Sequence, residues 1–244
     1  MGKEAENWYV DWFNTDFYHV LYQDRDHKEA RRFMKNLTHY LELPEGASIL
    51  DLACGKGRHA VYLNTLGYEV TGIDLSVNNI EFARRFENAT LHFKVHNMGA
   101  PYPKRFDAVL NLFTSFGYFE NDADNLNTIR AIKANLKEKG FGVIDFMNAD
   151  YVTEHLVPED TKTAGGIAFH QKRYVKEGYI FKEINFMHEN RAYHFTERVK
   201  ALRLRDFEGY FKEAGLVLQS VFGDYALHDF NPGTSERLIL IFTR

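Results

Sequence analysis

The chain has 244 residues, 45% of them hydrophobic, and a formal net charge of −4, which fits one α/β domain with or without a small insertion. That acidic balance argues against nucleic-acid binding through a broadly basic surface. The single cysteine, Cys54, excludes an intrachain disulfide and fits a reducing cytoplasm, and no run reaches the ~18–20 apolar residues of a membrane helix.

In chain order, Met1–Asn7 has no apolar core of the kind a signal peptide needs. Trp8, Tyr9, Trp12, Phe13, Phe17, Tyr18, Val20, Leu21 and Tyr22 then crowd at nearly helical spacing, as packing or as a cap over a ligand. Tyr22–His27 reads as a polar hinge. A second helix over about 26–43 puts Phe33, Leu37, Tyr40 and Leu41 on one stripe and stops at Pro44-Glu45-Gly46.

The core of the pattern is Ala47–Leu75. A short apolar strand ends in Asp51, a small-residue turn Ala53-Cys54-Gly55-Lys56-Gly57 follows, then a helix from Arg58 and a second strand closed by Asp74. Strand, glycine turn, helix, strand and acid are the order of a mononucleotide-binding unit. Glycine lets backbone approach a ligand, and the carboxylate after the second strand suits ribose hydroxyls. A nucleoside-containing cofactor follows.

Downstream, a helix from Ser76 to about Glu87 leads to strands at Leu91–Val95 and Phe106–Asn111, a helix over Asn121–Lys139 capped by Gly140, and a strand at Phe141–Met147. This alternation predicts a mainly parallel sheet covered on both faces. From about Ile167 to Leu204 the period becomes two, predicting a three-stranded antiparallel meander. The α/β pattern then resumes with a helix at Asp206–Ala214 and strands at Leu216–Phe222 and Arg237–Phe242.

Asp51 separates two cofactor classes. A carboxylate two residues before the turn would face the pyrophosphate of a dinucleotide with like charge. It suits an ammonium instead, as on an amino-acid moiety. Ile49-Leu50-Asp51-Leu52-Ala53-Cys54-Gly55-Lys56-Gly57 resembles the first motif of class I S-adenosylmethionine-dependent methyltransferases. The resemblance covers about residues 47–150 and 205–244 and extends to Asp74, Asn97-Met98 and the Asn-Leu-Phe run after strand four.

What the resemblance implies is a Rossmann-like seven-stranded α/β sheet with a reversed last strand, binding S-adenosylmethionine. Residues 1–46 would form a helical cap, 47–149 and 205–244 the cofactor domain, and 150–204 an antiparallel insertion over the active site. By position, Asp51 and the Ala53 carbonyl would hold the methionine part, with Gly55 and Gly57 passing beneath it. Asp74 would take the ribose; Leu75, Asn97 and Met98 would surround the adenine, and the Leu112 backbone would line the methionine end. Ala53 stands where glycine is usual, and Asn97 where aspartate is. In layout the chain is similar to sugar-amine N-methyltransferases and glycine N-methyltransferase. That similarity assigns Arg25 to the cofactor carboxylate and Tyr18 or Tyr22 to the acceptor.

Phe116 and Tyr118 follow strand four, where α/β sheets place substrates, and join the acceptor candidates. His170, Tyr174 and His194 of the meander are further ones. No side chain is singled out as a base, and no metal site is expected. The expected partner is a small-molecule methyl acceptor, modified at nitrogen or oxygen, with no nucleic acid and no membrane; a homodimer is left open. The alternatives are a cofactor-binding homologue without transferase activity and an NAD(P)-dependent oxidoreductase.

Overall fold

The structure is a computed structural model that describes residues 8–23 and 27–244. Its main sheet has seven strands in the order β3-β2-β1-β4-β5-β11-β10. These are β1 (Ser48–Leu52), β2 (Glu69–Asp74), β3 (Leu91–Val95), β4 (Phe106–Asn111), β5 (Leu136–Met147), β10 (Val217–Phe222) and β11 (Arg237–Thr243). Pairing is parallel from β3 through β5, while β11 runs antiparallel to both β5 and β10. The reversed last strand therefore sits inside the sheet, with β10 at the edge.

Alternating residues of each strand go to opposite faces, so neighbours such as Ile49 and Leu50 feed different cores. On one face α3 (His27–Tyr40), α4 (Arg58–Thr65) and α5 (Val77–Ala83) bury Phe33, Leu37, Ala60, Leu63 and Ile80 against Ile49, Val70 and Ile241. On the other, α6 (Asp122–Asn135) and α8 (Leu204–Ala214) bury Ile129, Ile132, Phe207 and Phe211 against Leu50, Val109, Ile144 and Phe242. Both faces are covered, as parallel strands require.

Four details differ from the pattern-based reading. The N-terminal aromatic run is two short helices, α1 (Trp8–Phe13) and α2 (Asp16–Leu21), because Thr15 interrupts it and accepts the Tyr18 N–H at 3.1 Å as an N-cap. Tyr40 leaves the buried stripe, where Met34 takes its place, and its hydroxyl meets Ser220 Oγ at 2.7 Å. Gly140 does not cap α6. The helix ends at Asn135 and β5 bulges past β4, where a Cβ on Gly140 would stand 2.9 Å from the Phe106 carbonyl. The meander has a fourth strand, so the second sheet is β6 (Glu159–Ala164), β7 (Ile167–Lys176), β8 (Tyr179–His188) and β9 (Arg191–Lys200). Polar Glu159-Asp160-Thr161-Lys162-Thr163 hid β6, an exposed edge strand.

A third core joins this sheet to α1 and α2. Trp12 and Leu21 pack with Ile167, Phe169, Ile184 and Phe186, and Phe17 meets Phe186 at 4.8 Å. The helix α7 (Ala149–Glu154) makes the connection out of β5. Among the described residues no helix is long and apolar enough to cross a membrane.

Candidate cofactor and acceptor site

The ends of β1, β2 and β4 meet the cap across a cavity of about 560 Å³. Asp51 lies in a strand whose residues are all buried, and Cys54 N–H is held by the Ile73 carbonyl at 2.9 Å, so the turn departs at a fixed place. Ala53, Gly55 and Gly57 all have left-handed φ, +54°, +56° and +82°. For Ala53 that conformation costs about 1–2 kcal/mol, a strain glycine would not bear. Two glycines are required by one ring: a Cβ on Gly57 or on Gly72 would stand 2.7 Å from Phe93. Among the described residues a Cβ on Gly55 would meet nothing within 4 Å, because that residue faces the cavity.

Two carboxylates line this end. Asp74 accepts the N–H groups of Gly55 and Ser76, each at 2.8 Å, which ties the turn to the end of β2. Burial raises its pKa while those two N–H groups hold it back. Asp51 is 1% exposed, and its Oδ2 has no hydrogen-bond partner among the described residues. Burial pushes its carboxyl up to about 7 against the pull of the Ala60 N–H, and Asp74 adds to the rise. A buried carboxylate oxygen without a donor calls for one. An ammonium fits that demand, so these residues fit an amino-acid-bearing nucleoside. Burial also raises the Cys54 thiol well above its ordinary value, which leaves it a small packed turn residue.

The remaining candidates fall into three groups. Leu75, Asn97, Met98 and Leu112 line the same cavity; Asn97 Oδ1 accepts the Gly99 N–H at 2.9 Å, and the Leu112 carbonyl accepts Ser115 Oγ at 3.0 Å. Tyr18, Tyr22 and Tyr118 also line it. Phe116, His170 and Tyr174 do not. Phe116 is fully buried 5.4 Å from Phe207; His170 meets Thr161 Oγ1 at 2.9 Å on the exposed side of β7; Tyr174 stacks on Phe181 and donates to Glu183 at 2.9 Å. His194, likewise on an exposed strand face, meets Asn185 Oδ1 at 2.7 Å. Arg25 lies outside the described residues.

Several cavity residues carried no distinguishing sequence signal. Tyr9 and Phe13 belong to the same aromatic run as Trp12 and Phe17, and only their place on the cavity wall separates them. His19 reaches Asn79 Oδ1 at 3.1 Å and so bridges the cap to α5 beside Asp74. Phe113 lies between His59, stacked at 4.7 Å, and Tyr225, stacked at 5.4 Å, with the Arg58 guanidinium 4.6 Å over its ring. Among the described residues no cluster of His, Cys, Asp or Glu could hold a metal ion.

Comparison with known proteins follows the same lines. A family model described as "Methyltransferase domain" matches residues 25–221. A protein of Bacillus subtilis named "Putative methyltransferase YqeM" is 28% identical over 218 residues, covering 80% of this chain and 83% of that protein. A glycine/sarcosine N-methyltransferase of Aphanothece halophytica is 28% identical over 159 residues, 61% of this chain and 57% of its own length. In fold, a S-adenosylmethionine-dependent methyltransferase of Clostridium acetobutylicum matches with a TM-score of 0.78 at 18% identity, across 93% of this chain and 95% of that one.

Proposed function

This chain belongs to the methyltransferase-domain family, and from that premise we propose that it transfers a methyl group from S-adenosylmethionine to the nitrogen of a small polar metabolite. The observation that carries the reading is the unpartnered Asp51 oxygen, buried beside a left-handed turn in a cavity that continues under the cap. Bound there, S-adenosylmethionine supplies a methyl group on a sulfonium: the acceptor's lone pair forms the new bond as the C–S bond breaks, leaving S-adenosylhomocysteine and moving the positive charge to the acceptor.

The chain's own residues have separate tasks. Asp51, ionised, accepts from the ammonium of the amino-acid end. Asp74, which already accepts from Gly55, Ser76 and the Asn79 side chain, keeps one lone-pair site for a ribose hydroxyl. Leu75 and Met98 flank the base, and Asn97 offers it both amide hydrogens and one oxygen lone pair. Arg25 is assigned to the cofactor carboxylate on family resemblance alone. Tyr18, Tyr22 and Tyr118, with the loop after β4, close the acceptor end against water. The glycine/sarcosine relative, named for methylation at nitrogen, supports nitrogen over oxygen. An NAD(P)-dependent reading has no support from the family.

The test is to incubate the protein with S-adenosylmethionine and separate panels of small amines and small alcohols, and to measure S-adenosylhomocysteine by mass spectrometry. Product with amines is expected. Binding of S-adenosylhomocysteine without turnover on any panel would leave a cofactor-binding homologue, and turnover confined to alcohols would move the acceptor to oxygen.

A further inference from the structure

The cap and the loop after β4 bring aromatic side chains together at one cavity. Phe13 is the hub, 4.8 Å from Tyr18 and 5.6 Å from Tyr118, with both pairs inclined at 56°. Tyr9 lies near-parallel to Tyr118 at 6.1 Å, and Tyr22 stands 4.9 Å from Tyr18 at 57°. All five line the cavity. Together they form an aromatic wall.

Two features separate this wall from ordinary packing. Phe13, Tyr18 and Tyr22 border the third core as Phe17 does, but they line the cavity as well, which neither Trp12 nor Phe17 does. The wall's tyrosines are also held in place. Tyr118 donates its hydroxyl to the Thr114 carbonyl. Tyr22 donates to Glu197 at 2.7 and 2.9 Å, a carboxylate that Trp12 Nε1 also reaches at 2.7 Å, and Tyr22 accepts from Lys182 at 2.7 Å. With those hydroxyls engaged outside the cavity, Tyr118 and Tyr22 present it with ring rather than with a hydrogen-bond donor.

We propose that Tyr9, Phe13, Tyr18 and Tyr118, backed by Tyr22, form an aromatic cage for an alkylammonium group, so that the acceptor is an amine already bearing alkyl groups and the product is held as a cation. The inference rests on the methyltransferase reading and names its substrate class. Ring faces attract cations and do so most strongly where water is excluded. In the transfer the total charge stays at +1 and passes from sulfur to nitrogen, so the same wall favours the charge as it arrives on nitrogen. A product with a remaining N–H can lose its proton to water and be methylated again; a fully substituted one cannot, and leaves as the cation.

The probe is choline, compared with its uncharged carbon isostere 3,3-dimethylbutan-1-ol, each titrated by calorimetry into the protein saturated with S-adenosylhomocysteine. Choline is expected to bind at least ten times more tightly than the isostere. Tyr118→Leu and Tyr18→Leu should each weaken choline about tenfold. Tyr118→Phe should retain it, and all three should keep S-adenosylhomocysteine affinity, which reports a folded cofactor site. Equal binding of choline and isostere, or binding of neither, overturns the cage and leaves the methyltransferase reading intact. Loss of S-adenosylmethionine affinity relative to S-adenosylhomocysteine in the ring-deleted variants, with choline unaffected, assigns the wall to the sulfonium and also overturns it. Failure of wild-type protein to bind S-adenosylhomocysteine removes both readings together.

Discussion

Asp51 is a residue the ligand-free protein tolerates at a cost. Its folded-state pKa of about 7 lies above the ordinary carboxylate value, so between about 4 and 7 the folded chain holds a proton that the unfolded chain has lost. Ligand-free stability should therefore fall as pH rises through that window. Binding has the opposite sign, because the cofactor's ammonium needs the ionised form. S-adenosylhomocysteine affinity should rise by up to about tenfold per pH unit below 7, then turn over near ~8, where an α-amino group loses its proton. Asp51→Asn should weaken binding about 10–100-fold at pH 7.5, abolish the rise below 7, and increase the ligand-free melting temperature at pH 8. Calorimetry and thermal denaturation across pH check all three; a rise that survives in Asp51→Asn gives the titration to another group. This residue was legible because its meaning is local: acid, turn and glycines lie within seven positions of one another. Phe116 was not, although it lies two residues from Tyr118. Phe113 and Thr114 both adopt left-handed φ, +58° and +60°, without being glycine, and the loop beyond them sends Phe116 into the core.

At the scale of elements, that loop is held from β5 and β11. Asp145, fully buried on β5, accepts Arg237 Nε at 2.8 Å and Nη2 at 2.6 Å, the Phe113 N–H at 2.9 Å and the Tyr225 hydroxyl at 3.2 Å. Its backbone carbonyl takes the Thr114 N–H at 3.0 Å, and Arg237 reaches Thr114 Oγ1 at 3.1 Å. The Asp145–Arg237 pair thus fixes the two strained residues that follow the cavity-lining Leu112, the carboxylate holding Phe113 and the Asp145 carbonyl and Arg237 holding Thr114. Arg237→Met leaves that carboxylate buried without its cation and should cost about 3–5 kcal/mol in urea denaturation. Arg237→Lys should recover only part of this, since it keeps the charge but not the two-pronged contact. A loss below 1 kcal/mol in Arg237→Met would show that the pair does not hold the loop. Sequence periodicity exposes β5 and β11 as apolar strands but says nothing of this pairing, which joins residues 92 positions apart. The same blindness hid β6, whose polar residues show no apolar alternation although its backbone pairs with β7 along its whole length.

At the scale of the whole molecule the cap belongs with the second sheet. The seven-stranded layout was legible because each strand–helix step repeats the same local logic, whereas the partner of the cap was not, since Trp12 and Tyr22 meet Glu197 across 185 and 175 residues. The cap and second sheet share one core and reach the main domain through polar links: His19 to Asn79, Asn14 to Ser76, Arg198 to Glu120, Lys200 to Asp122, the Tyr179 hydroxyl to the Glu120 carbonyl, and Lys200 N–H to the Gly117 carbonyl. Among the described residues, none of β7, β8 or β9 lines the cavity. If cap and sheet move as one body, closing over a ligand must slow hydrogen exchange in both, even though only the cap can touch it. S-adenosylhomocysteine should therefore add protection to residues 16–22 and to β8 and β9 together, measured by exchange mass spectrometry. Glu197→Ala removes the acceptor shared by Tyr22 and Trp12, at about 1.5–3 kcal/mol for a charged hydrogen bond. It should uncouple the two, so that ligand protects the cap while the sheet exchanges as it does in the ligand-free protein. Protection confined to the cap in the wild type would mean instead that the helices close alone, hinged on a sheet that stays still.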